Sequence, residues 1–184
     1  MRQMTSWIAL CAVAMTAVAP AADKPRVGRA SMVLVEQGFN NKFYNLGAIE
    51  TLDLLGAARG VYLEGYGAVV TVEVNLVVGP AVSPFRPVLT KGEIALLKEK
   101  KRARLEVLKK AMRETLIAAG AALGDVPAQE QVVVGVSLFY FAWEDSAGLP
   151  GQILMRAPRG LLADHKAGRV NAAAMDAALR VEVF

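Results

Sequence analysis

Reactive side chains are scarce in this chain. Of 184 residues one is a cysteine, Cys11, and one is a histidine, His165. A lone cysteine closes no intramolecular disulfide, and one cysteine with one histidine cannot assemble a zinc site of the usual kind. Neither H-E-x-x-H nor calcium-loop spacing occurs. A strong excess of one charge is also missing. The 21 Lys and Arg against 17 Asp and Glu leave a net +4, too little to point to nucleic acid as a partner.

What the chain does have begins at its first residue. Arg2 precedes the apolar run Ile8 to Ala19, and Ala19-Pro20-Ala21 offers an A-x-A cleavage site, the three-part layout of a secretory signal peptide. The apolar run is too short to span a bilayer core, which takes roughly 20 residues, and Asp23, Lys24 and Arg26 follow at once. The expectation is therefore an exported, periplasmic or secreted protein. Residues 1–21 form a cleaved leader, 22–30 a flexible lead-in and 31–184 a single domain. Cleavage removes Cys11 and Arg2, so the mature chain lacks cysteine and carries a net +3. Export further argues against DNA or RNA as a target.

Hydrophobic periodicity outlines the domain. Ser31 to Glu36 supplies Met32, Val33, Leu34 and Val35, which predicts a first strand ended by Gly38. Leu46, Ile49, Leu52 and Leu55 approach helical spacing and predict a helix over Leu46 to Ala58. From Gly60 the chain is rich in β-branched residues as far as Val78, interrupted by Glu64-Gly65-Tyr66-Gly67, so either a hairpin turn or a bulged continuous strand is expected. Pro80, Pro84 and Pro87 then make a stiff connection.

Thr90-Lys91-Gly92-Glu93 matches a capping box, and a long helix follows with Ile94, Leu97, Leu105, Leu108, Met112, Leu116, Ala119 and Leu123 on one stripe. Gln131 to Trp143 predicts a strand with apolar residues on both sides, hence covered on both faces, paired through a long loop with Gln152 to Arg156. A helix after Pro158 to Lys166, an Asn171-capped helix over Ala172 to Leu179 and a last strand from Arg180 to Phe184 complete the order. The expected fold class is α+β or α/β: a mixed β-sheet with one long helix packed across it and short C-terminal helices.

No catalytic motif is complete. Gly135-Val136-Ser137 begins like a nucleophile elbow, but Phe139 replaces the second glycine and Ser137 falls inside a strand. Gly65-Tyr66-Gly67 lacks the third glycine of a dinucleotide loop, because Val70 stands in its place. Neither a cofactor nor a metal is implied, and Glu144-Asp145 reads as a solvated acidic turn.

Two segments remain as candidate binding sites. One is a ligand loop of Arg59, Tyr62, Glu64, Gly65, Tyr66 and Gly67, where side chains of both charges and phenols surround backbone that glycine frees. The other is a basic patch of Lys98, Lys100, Lys101, Arg102 and Arg104, suited to an envelope protein or an anionic envelope component. Its competing interpretation is a solvated helix face with pairs such as Glu99 to Arg102. Lys101 stands out, because it falls where the apolar stripe should continue between Leu97 and Leu105. The expected function is that of an exported, non-enzymatic binding domain. The alternatives are an exported hydrolase or ligand-binding enzyme drawing on Arg59, Glu64, Tyr66 and His165, and a structural subunit of an envelope assembly.

Overall fold

The structure, a computed structural model, describes residues 27–50, 52–79 and 89–184. The leader, most of the lead-in and the proline connection of residues 80–88 lie outside the described residues. In chain order the elements are α1 (Arg29–Glu50), β1 (Asp53–Leu54), β2 (Arg59–Leu63), β3 (Gly67–Asn75), α2 (Lys91–Ala122), β4 (Gln131–Leu138), β5 (Gln152–Pro158), α3 (Arg159–Lys166), α4 (Ala172–Ala178) and β6 (Arg180–Val183).

They build one mixed sheet. β3 pairs antiparallel along one edge with β2 and then β1, and along the other it runs parallel to β4, with α2 as the crossover. β4–β5 and β5–β6 are antiparallel, so β6 is the far edge among the described strands. The long helix across a mixed sheet and the short C-terminal helices are as the sequence predicts. Thr90 closes the capping box with Glu93 at the start of α2, and Asn171 caps α4 through the Ala174 amide.

The core lies between the sheet and a single layer of helices. Ala68, Val70, Val72 and Val74 of β3, Val132, Val134 and Val136 of β4, and Ile153 and Met155 of β5 point into it. Met32, Phe39 and Phe43 of α1 and Leu108, Met112 and Leu116 of α2 meet them there. At roughly 1.5–3 kcal/mol for each large apolar side chain removed from water, this cluster is the main stabilising term.

Four expectations need correction. Ser31 to Glu36 is not a strand, and Gly38 does not end it: both belong to α1, whose stripe Met32, Val35, Phe39 and Phe43 is buried with Glu36 beside it. Glu36 tolerates that position because Arg29 meets its carboxylate with two nitrogens at 2.8 Å and the Gly60 amide donates at 2.7 Å. The helix expected over Leu46 to Ala58 is instead the end of α1 followed by β1. Asn40 accepts from the Ala58 amide at 2.7 Å and turns the chain back toward the sheet.

The strand expected to reach Trp143 stops at Leu138. Beyond it the Phe139 amide still donates to the Val74 carbonyl at 2.9 Å, but residues 139–143 form no strand. Finally, the strand is not covered on both faces. Thr71, Glu73 and Ser137 are exposed on the side away from the helices, and Val133, though buried, lies outside the main core cluster.

Candidate functional site

The basic segment and the Glu144-Asp145 turn face each other. Lys101 occupies the core stripe of α2 with 1 % of its side chain exposed, and its ammonium meets Glu144, whose side chain is 4 % exposed, at 2.5 Å. The same ammonium donates to the Phe139 carbonyl at 3.3 Å and sits 4.8 Å above the Tyr140 ring. Burial, and then the Glu144 charge, push the Tyr140 phenol up to about 12, while its hydroxyl donates to the Pro150 carbonyl at 2.8 Å.

One turn earlier Lys98 pairs with Asp145 at 2.7 Å, which holds that carboxyl below its ordinary value. The acidic turn is therefore not simply solvated: it fastens the loop of residues 139–151 onto α2. Of the remaining cations, Arg102 pairs with Glu99 at 2.6 Å, Arg104 is half-buried and Lys100 is exposed. Much of the patch is spoken for by internal acids.

The segment from Arg59 to Gly67 is the β2–β3 hairpin. Its turn closes with the Tyr66 amide donating to the Leu63 carbonyl at 3.0 Å, and Gly65 takes φ +79°. Gly67 has φ +136°, and a Cβ there would lie 1.8 Å from the Gln131 carbonyl oxygen, so strand β4 can begin only beside a glycine. Pairing alternates the side chains between faces. Tyr62 turns toward the helices, where burial and the Glu130 carboxylate push its phenol up. Arg59 lies on the open face of the sheet, opposite Thr71.

Tyr66 reaches Arg156 on that same face. Its hydroxyl and the Glu182 carboxylate, 2.8 Å from the guanidinium, hold Arg156 above its ordinary value.

The residues named for an enzyme do not converge. Arg59 and the turn at Glu64 and Tyr66 lie at opposite ends of β2, separated by roughly 14 Å at ~3.4 Å per strand residue. His165 is on α3, with Nδ1 3.0 Å from the Val170 carbonyl. The shallow groove beside Arg59 is lined by Leu55, Gly56, Thr71, Glu73 and Ser137 and includes none of the other three. Among the described residues no three His, Cys, Asp or Glu side chains gather in a way that would hold a metal.

Sequence reasoning missed the open sheet face as a whole. The strand registers place Val61, Leu63, Val69, Val133 and Leu154 together on it, with Tyr66 at the hairpin turn beside them and Arg59, Thr71, Glu73 and Ser137 toward the other end. Val61 is 51 % and Leu63 46 % exposed, and Tyr66 is also exposed. The signal was in the alternation of β2, where Val61 and Leu63 fall on the face opposite Tyr62. A second apolar feature is a groove of about 370 Å³ between α1 and α2, lined by Leu34, Gly38, Phe39, Ala118 and Ala122 and bounded by the Lys42–Glu114 ion pair at 2.6 Å.

No helix among the described residues is long and apolar enough to cross a membrane. No protein-family model, curated protein or solved structure matches this chain.

Proposed function

We propose that the protein is an exported, non-enzymatic interaction domain of the cell envelope or periplasm that docks a protein partner on the open face of its sheet. One observation carries this: among the described residues the helices cover one side of the sheet, and the other side presents Val61, Leu63 and Tyr66 to solvent around Val69, Val133 and Leu154. An apolar centre with polar residues around it is the composition of a protein interface. Charges of both signs border it, Arg59 and Arg156 against Glu73 and Glu182, which favours a protein surface over a polyanion. The Arg59–Gly67 hairpin forms one side of this face, so the candidate ligand loop becomes part of a broader surface.

The test is site-specific photocrosslinking in the native cell from position 61, with position 96 on the outer side of α2 as the control. A defined protein adduct from position 61, lost when Leu63→Ser is added without a change in thermal stability, supports the proposal. Adducts from position 96 alone sink it.

A further inference from the structure

β6 carries a pattern of its own. Phe184 and Gln152 exchange both main-chain hydrogen bonds, at 2.9 and 3.1 Å, so along β6 the backbone groups of residues 180, 182 and 184 point at β5. By the same alternation the N–H and C=O of Val181 and Val183 point away from the sheet, where the strand order ends. Val181 and Val183 are also the apolar residues of the strand, about half exposed on the helix side because the helix layer stops short of this edge.

On the other face Arg180 stands directly opposite Arg156, a like-charge pair across the strands. Arg156 pairs with Glu182, but Arg180 makes no ion pair among the described residues. Among the described residues the edge thus holds outward backbone groups without a partner, half-exposed valines and a cation lacking an anion.

We infer that this edge pairs with β6 of a second copy of the chain, antiparallel and centred on Val181. Only residues whose backbone groups point outward can exchange hydrogen bonds, which limits the registers to those that bring 181 and 183 together with their counterparts. Centring on residue 182 would set Glu182 against Glu182. Centring on Val181 sets Arg180 against Glu182 of the other copy, twice by symmetry. The two Val181 residues then meet on the helix side, and Val183 falls opposite Leu179. Charged residues on edge strands ordinarily discourage pairing. Here their order penalises the alternative register and gives Arg180 its anion, and the two-fold axis joins the two sheets into one. This inference goes beyond the docking of a protein partner on the open face and does not rest on it.

Sedimentation velocity on the mature chain, over a series reaching about 0.5 mM so that a contact as weak as a millimolar Kd is still populated, reads the result. The wild type should show a dimer population that grows toward the upper end. Arg180→Glu should shift it to monomer while thermal stability holds or rises, because the introduced carboxylate then faces Arg156 within the same sheet. Combining Arg180→Glu with Glu182→Arg should bring the dimer back. Val181→Pro, which removes an outward N–H and leaves the β5 ladder intact, should give monomer. A wild type that is monomeric throughout overturns the inference. So does a dimer that survives Arg180→Glu, or a double charge swap that stays monomeric.

Discussion

Replacing Lys101 by Met keeps a long unbranched side chain in the stripe of α2 and removes only the ammonium. The Glu144 carboxylate then stays 4 % exposed with its cation gone. Breaking a buried pair by deleting one partner costs about 3–5 kcal/mol. For a domain of this size 1 kcal/mol moves the melting temperature by about 2–4 °C, so Lys101→Met should lower it by roughly 12 °C. Replacing both residues, Lys101→Met with Glu144→Leu, removes the uncompensated charge as well, and the double variant should return to within about 1 kcal/mol of wild type. The coupling between the two sites should be at least about 2 kcal/mol.

Urea unfolding followed by Trp143 fluorescence suits the measurement, because that indole stacks on Phe141 at 5.3 Å and lies over Gly79 beside the pair. A loss below about 1 kcal/mol for Lys101→Met, or a double variant as unstable as the two singles summed, would refute a buried electrostatic clamp.

Three further outcomes follow from single sites. Glu36 is held below its ordinary pKa chiefly by the Arg29 hydrogen bonds, so its stabilisation is present above the unfolded value and is lost as pH falls through the folded one. Glu36→Gln should cost about 1.5–3 kcal/mol at pH 7, and urea curves at decreasing pH should show that gap close below about pH 4. Tyr140, raised to about 12, contributes stability that is complete below about pH 10 and fades as pH passes 12. Absorbance at the tyrosinate band should show Tyr62 and Tyr140 ionising above the ordinary tyrosine range, and Tyr140→Phe should remove the step near pH 12. Gly67→Ala meets both a left-handed backbone and the Gln131 carbonyl, so circular dichroism melts should report a loss of roughly 3 kcal/mol.

What the sequence made legible was what local chemistry decides. Thr90 and Glu93 announce the start of α2 because a capping box needs only four consecutive residues. Asn171 announces α4 for the same reason, and Lys101 declared itself by interrupting a stripe. α1 was hidden because tertiary contacts decide it. Its valines favour a strand, its stripe includes a carboxylate, and the groups that make Glu36 tolerable, Arg29 and the Gly60 amide, lie 7 and 24 residues away. The Phe39–Phe43 stack, with centroids 4.5 Å apart at the i, i+4 spacing of a helix, was the available clue.

The partners of Lys98 and Lys101 were equally distant, 47 and 43 residues on, so a paired clamp read as an open basic face. Which side of the sheet the helices would leave bare depends on strand order and crossover, and neither is written in any one segment.

The central claim, that the uncovered sheet face is the working surface, is tested most directly by crosslinking from position 61 in the cell that makes the protein. A single defined partner protein captured there, and lost with Leu63→Ser at unchanged melting temperature, is the result expected. Capture from position 96 on α2 with nothing from position 61 would contradict it.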